Sequence, residues 1–432
     1  MSRSTTDPAL ASFLDVGPAH PFPIQNLPYG VFTPPDTTVP RVGVAIGDCV
    51  LDLALLNQEG LFEALPLRST RPFAQSTLNA FLGLGAEAWA AVRERVQELL
   101  RADTEALRDN ASLRERALHA RSDVTLHLPV DVGDYTDFYS SKQHAINVGT
   151  MFRGAENALK DNWVHLPVGY HGRASSILPS GHDVRRPCGQ TRPHDDAPPV
   201  FGPTQLLDFE LETGFLVGDG NELGTPIPID EAEEHIFGMV LVNDWSARDI
   251  QGWEYDPLGP FLGKSFATTL SPWVVPMAAL EPFRTAGPAQ EPAPLDYLQA
   301  EGDAAYDIAL EVDLQTPAMS DPHTICRSNT RHLYWSMRQQ LAHHTINGCN
   351  VRPGDLMASG TISGPTEDSY GSMLELSWRG ERPLSLPGEE TRSFLEDGDR
   401  VLLRGYAQGD GYRVGFGTAA GTVRPAQCGE AA

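Results

Sequence analysis

LLDFELETGFLVG, residues 206–218, sets Leu207, Phe209 and Leu211 in strict alternation with Asp208, Glu210 and Glu212. A β-strand turns successive side chains to opposite faces, so the pattern predicts a strand carrying three carboxylates on one face. Same-face neighbours lie roughly 7 Å apart, where like charges repel unless water or a cation neutralises them. Two readings are open: an edge strand with a solvated acidic face, or an all-oxygen site for a hard cation such as Ca2+ or Mg2+. Downstream, IFGMVLVNDWSARDIQ (236–251) starts as a buried-strand pattern and presents Asn243 and Asp244 where the apolar run stops. The end of a buried strand fixes a polar group while the adjoining loop admits ligand. Asp244 as a cap of the following turn is the plainer alternative. Arg248 is either part of a site or a surface partner of Asp244.

Outward from these strands, short apolar stretches separated by Gly, Pro and Asn turns run from Leu128-Pro129 to the C-terminus, a mainly β texture. The preceding region differs. RVGVAIGDCVLDL (41–53) reads as two strands joined at Gly47-Asp48, and STLNAFLGLGAEAWAAVRERVQELL (76–100) has helical spacing, with Ser76 and Thr77 as helix starters. This places a boundary near 125–130, between a small N-terminal module with a helical segment (1–128) and a large, mostly β domain (129–432). The Pro- and Ala-rich stretch 284–300 is predicted to be a surface loop.

The chain has 432 residues with 57 Asp plus Glu and 32 Lys plus Arg, a formal net charge of −25. Such a balance argues against nucleic acid and against an anionic membrane surface, both of which need clustered cations. A small anionic substrate is still allowed where local cations oppose the global field. No secretory h-region opens the sequence and no apolar run is long enough to span a bilayer, which favours a cytoplasmic protein. Five cysteines (49, 188, 326, 349, 428), odd in number, widely spaced and without CxxC, read as unpaired thiols in a reducing compartment. Two nucleotide-like motifs fail: Gly259 to Gly263 in LGPFLGKS is one residue short of a P-loop, and GYRVGFGTAAG has Ala420 where a third glycine belongs. GxSxG and HExxH are absent.

GDYTDFYSSKQHAINVGTMFRG (133–154) crowds Asp137, Tyr139, His144 and Arg153 together. Ser140 or Ser141 as a helix cap would put His144 in the first turn. A histidine in such company is as fit to be a base as a structural hydrogen-bonding residue. DYTDFYSSKQHAINVG, LPVGYHGRASSI, DFELE, VLVNDWSARDIQGWEY, LGPFLGKSF, ASGTISG and GSMLELSW, in this order, resemble the fumarylacetoacetate hydrolase family, as do FPIQNLPYGVF and RVGVAIGD near the N-terminus.

The resemblance implies a small SH3-like β-barrel N-terminal domain, a large mixed β-sandwich roll and a homodimer. It also implies hydrolysis of 4-fumarylacetoacetate to fumarate and acetoacetate, the last step of tyrosine breakdown. Matched positions imply that Asp137, Glu210, Glu212 and Asp244 hold Ca2+ or Mg2+. They make His144 the base that activates water, oriented by Glu375, and Arg248, Gln251 and Lys264 the oxyanion donors. Tyr139, Arg153, Tyr170, Gln251, Tyr255 and Thr361 would line the substrate pocket, and Lys264 and Thr268 would adjoin the cation. One departure is Ala267, beside Thr268, where vertebrate members have glycine. Related acylpyruvate hydrolases, decarboxylases or hydratases are the competing reading; His144 within YSSKQH and the full N-terminal module favour the first. A catalytically inert, metal-stabilised scaffold is disfavoured because each expected catalytic position holds its expected residue type.

Overall fold

The computed structural model describes residues 5–67, 71–194 and 196–429. Near the N-terminus, five short strands form an antiparallel sheet in the order 118–120, 49–52, 41–46, 29–33, 125–126. Gly47-Asp48 is its tight hairpin turn, with Ile46 opposite Cys49; Gly47 has φ 54°, a region that costs glycine no Cβ clash. The predicted helix is broken in two. Asn79–Leu82 makes a single turn capped by Leu78, and Ala86–Leu100 starts afresh after Gly85 at φ 85°. Ser76 and Thr77 therefore cap nothing: Gly83 and Gly85 interrupt the backbone ladder, and Trp89 Nε1 bonds the freed Phe81 and Leu82 carbonyls.

The larger part is built on an eight-stranded mixed sheet, in which 169–171, 135–138, 356–358, 211–217, 236–244, 268–270 and 177–179 are successive neighbours and 275–276 pairs with 236–244. A five-stranded sheet (323–329, 309–315, 400–408, 413–424, 184–185) packs against it. Strand Ile236–Asp244 is buried along its whole length because both of its faces are covered. Met239 and Leu241 join Phe215, Leu310, Leu403 and Phe416 in the core between the two sheets. Phe237, Val240 and Val242 face the other way, into a core shared with Tyr29, Phe81 and Val92 of the N-terminal region. The eight-stranded sheet is thus a middle layer, and the molecule is mainly β with a few helices.

Two expectations are corrected here. Residues 206–218 form two strands, Leu207–Asp208 and Leu211–Val217, which pair in different sheets. Asp208, Glu210 and Glu212 are all buried, so the solvated-edge reading fails. Nor are all five cysteines free: Cys188 and Cys428 are joined in a disulfide, leaving Cys49, Cys326 and Cys349 unpaired. Sequence spacing could not reveal a pair 240 residues apart, brought together only where the C-terminal tail passes strand Cys188–Thr191. The 284–300 stretch is largely exposed but also walls a cavity of about 440 Å3, together with Thr213, Phe215 and Tyr334. No helix among the described residues is long and apolar enough to cross a membrane.

Candidate active site and cation centre

Strand register places the acid cluster. Glu212 pairs with Val242, Asp244 with Thr268 and Asp137 with Ala358, so these side chains share the sheet face on which Val242 and Ala358 meet the N-terminal core. They lie at the strand ends, past the point where that core covers the face. With Glu210 from the break between strands, each offers an oxygen within 4.8 Å of the others, and all four are buried. Thr213 alternates with Glu212 and so lines the cavity on the opposite side of the sheet, away from the cluster.

Lys264 reaches into the acids, bonding Asp244 Oδ2 at 2.8 Å and Glu210 Oε2. Thr268 donates to Asp244 Oδ1 at 2.8 Å, as its cross-strand position allows, and Tyr170 donates to Asp244 Oδ2 at 3.1 Å. Asp244 is therefore part of the cluster and not a turn cap. Arg248, the first residue of helix Arg248–Glu254, pairs with Asp208 and Glu210 at 2.8 and 2.7 Å, leaving Asp244 to others. Its Nη1 also donates to Gln251 Oε1 at 3.3 Å, and its buried Nη2 has no partner among the described residues. Asp137 Oδ1, Glu212 Oε1 and Thr361 Oγ1 are likewise buried without partners. Orphaned carboxylate oxygens are costly unless something binds them, and an all-oxygen donor set of this size fits Ca2+ or Mg2+. Ala267 is accommodated in the large core.

Burial, then the charge of Asp244, pushes the Asp137 carboxyl well above its ordinary value. Burial followed by the charges of Asp137 and Glu210 does the same to Glu212. At Glu210 burial acts in the same direction, but Lys264, Arg248 and then His144 outweigh it and hold the group far below the usual range. Burial also works against the Lys264 charge, yet Asp244 and Glu210 prevail and keep it protonated. Acids whose folded pKa exceeds the unfolded value of about 4 hold their protons longer when folded, so stability falls as pH rises from there. With chelator present, the melting temperature should therefore drop as pH rises above the unfolded carboxylate value of about 4, and saturating Ca2+ or Mg2+ should flatten that slope. Thermal scans with and without EDTA check this; identical slopes would count against a cation at the cluster.

Beside the cluster, Ser141 caps helix Lys142–Arg153 by accepting from the His144 N–H, which fixes His144 in the first turn. His144 Nδ1 meets Glu375 Oε2 at 2.7 Å, both side chains being buried. A carboxylate can only accept here, so Nδ1 carries the proton and Nε2 is left to act as a base. Glu375 also receives Asn147 Nδ2 at 2.8 Å, Ser363 Oγ at 2.9 Å and Ser372 Oγ at 2.9 Å. Burial would raise its pKa, but His144, Asn147 and Ser372 hold it below the ordinary value. The Tyr139 ring stands edge-on to His144, centroids 5.2 Å apart. Gly149 keeps this helix seated, since a Cβ there would lie 1.8 Å from the Ala158 carbonyl oxygen. Gly149→Ala should cost about 1–3 kcal/mol of stability through overpacking, seen as a lower urea midpoint at unchanged m-value.

Two of the residues implied for the pocket are near enough to act on the Tyr139 phenol but lie toward solvent. Arg153 is exposed and donates to the Asn157 and Ala158 carbonyls at 3.2 and 2.6 Å, and Tyr255 is 58% exposed. Conversely, sequence reading gave no role to Asn147, Ser363, Ser372 or Glu254. Asn147 lies one turn beyond His144, a spacing that could have drawn attention to it; the two serines carry no such signal. Glu254 accepts from the backbone N–H groups of Phe261, Leu262 and Gly263 at 2.7, 3.0 and 2.8 Å. The loop that resembled a phosphate cradle thus already holds a carboxylate, immediately before Lys264 in the chain.

Residues 25–129 match the family described as fumarylacetoacetase N-terminal, and residues 135–424 that described as fumarylacetoacetate (FAA) hydrolase C-terminal. The fumarylacetoacetase of Mus musculus is 59% identical over 415 residues, covering 96% of this chain and 99% of the mouse protein. That of Dictyostelium discoideum is 56% identical over 421 residues, covering 96% and 98%. Among solved structures, the fumarylacetoacetate hydrolase from psychrophilic Exiguobacterium antarcticum aligns with a TM-score of 0.52 over 92% of this chain and 99% of its own, at 17% identity, a likeness of fold.

Proposed function

The chain belongs to the fumarylacetoacetate hydrolase family, and we infer that it hydrolyses a carbon–carbon bond of 4-fumarylacetoacetate, giving fumarate and acetoacetate in tyrosine and phenylalanine degradation. The observation that carries this reading is the juxtaposition of a buried four-carboxylate cluster with the His144–Glu375 pair, next to Arg248 with an uncommitted Nη2.

The reaction asks three things of these residues. Water is a weak nucleophile, so His144 Nε2 takes its proton as the oxygen attacks the ketone carbonyl carbon of the fumaryl group itself, the carbon that becomes the new carboxylate of fumarate; Glu375 stabilises the imidazolium that results. The tetrahedral oxyanion needs preorganised donors. Arg248 Nη2 is free to serve, Gln251 stands beside it, and Lys264 contributes from its seat between Glu210 and Asp244. Collapse of the intermediate breaks the carbon–carbon bond, and its electron pair leaves as the enolate of acetoacetate. His144 then returns its proton to that carbon. Asp137, Glu210, Glu212 and Asp244 would hold the cation, Ca2+ or Mg2+, which when bound supplies Lewis-acid stabilisation of dicarbonyl oxygens. Tyr139, Tyr170 and Thr361 would line the pocket, with Tyr255 and Arg153 at its more exposed side.

An assay of the loss of diketone absorbance tests the reading directly. Fumarylacetoacetate should be turned over with kcat/KM at least about 100-fold above that for acylpyruvates, the order of discrimination that site contacts supply. Turnover of acylpyruvates alone would replace this function with the competing one.

The same proposal divides the chain into an SH3-like domain of 1–128 and a catalytic domain of 129–432; the sheets, which separate between Leu126 and Tyr135, support it. It includes a homodimer, which would cover part of the apolar surface exposed at Leu258, Phe261 and Leu262, and a cytoplasmic setting. The Cys188–Cys428 bridge weighs against the thiol argument for that setting.

A further inference from the structure

Asp208, the first acid of the DFELE motif, is used neither by the cation cluster nor by the His–Glu pair, yet it is fully buried. Its carboxylate touches both of the other catalytic segments. Oδ2 accepts from Arg248 Nε at 2.8 Å and from the Leu374 N–H at 3.1 Å, and Oδ1 accepts from the Met373 N–H at 2.6 Å. Met373 and Leu374 open the short helix Met373–Leu376 that carries Glu375. Asp208 also pairs in register with Ser246, two residues before Arg248, so its own backbone is fixed against the same segment.

We propose that Asp208 is a positioning residue that sets the Arg248 guanidinium in register with the Glu375 helix, and so with His144. The proposal rests on the functional reading above. A guanidinium is a planar fork, and with Nε held by Asp208 and Nη1 by Glu210 its plane is determined. Nη2, buried and unpartnered among the described residues, is then aimed in one direction. Because the same carboxylate grips the backbone N–H groups at the start of the Glu375 helix, the oxyanion donor and the base cannot drift apart independently. A misplacement of about 1 Å can cost about 100-fold in rate, so this register is worth holding.

Asp208→Asn, Arg248→Ala and the double variant, assayed with 4-fumarylacetoacetate as full-length protein, test the idea. Asp208→Asn should lower kcat about 10- to 100-fold with KM changed less than about 3-fold. In the Arg248→Ala background the same substitution should cost less than about 3-fold, because the group it positions is gone. Equal losses in both backgrounds, or unchanged kcat in Asp208→Asn, would overturn the proposal. Should Asp208→Asn fail to fold, Arg248→Lys decides. A point charge without a fork should lose nearly as much kcat as Arg248→Ala, and restored activity would refute positioning through Nε. Wild-type kcat in Arg248→Ala itself would instead overturn the functional reading, which separates the two failures.

Discussion

His144→Ala should lower kcat by about 100- to 10,000-fold, the range a positioned general base supplies, while the chain stays folded and binds its cation as before. The reason lies in what remains. Glu375 keeps three other donors, Asn147, Ser363 and Ser372, so its buried charge is not stranded when the imidazole goes. His144 lies outside the four-oxygen cluster, so cation content should not follow activity down. Glu375→Gln should bring a comparable loss by releasing the tautomer and the imidazolium. Undiminished turnover in His144→Ala would remove the residue from the mechanism.

Asp244→Ala has the other large expected effect, and here activity, cation content and stability should fall together. Asp244 is one of four oxygens in the cluster and also the partner of Lys264, Thr268 and Tyr170. Removing it leaves a buried ammonium with Glu210 as its remaining ion partner among the described residues, and breaking a buried pair costs about 3–5 kcal/mol. Cation affinity should drop at least about 100-fold, more than changes to outer-shell groups bring, with kcat/KM following. Elemental analysis after dialysis, a thermal scan and steady-state rates make the three measurements. A variant that is cation-replete and active would refute the ligand assignment.

The net charge of −25 takes on a different meaning beside this geometry. It argues against polyanionic partners, yet it says nothing about a site in which Arg248 and Lys264 stand among four buried carboxylates. A cation there, with those two side chains, would supply the local positive field that a dianionic diketo acid requires.

Local sequence determined much of this protein. The alternation at 206–218 marked the acids, the apolar run of 236–242 marked a buried strand, Gly47-Asp48 marked a hairpin, and the Ser140-Ser141 pair marked the start of the helix that seats His144. Each rests on the period of a regular element or on the hydrogen bonds of one turn, which neighbours in the chain dictate. Tertiary structure alone decided the rest. Whether the acids faced water or a cluster, which carboxylate Arg248 would choose, and that Cys188 meets Cys428 all depend on segments far apart in sequence. Likeness to relatives pointed to the pairing of His144 with Glu375, 231 residues away, but its hydrogen bond exists only once two short helices are packed side by side. Burial and cross-strand register are properties of the assembled layers, and they decide whether a carboxylate becomes a solvated charge, a salt bridge or a candidate cation ligand.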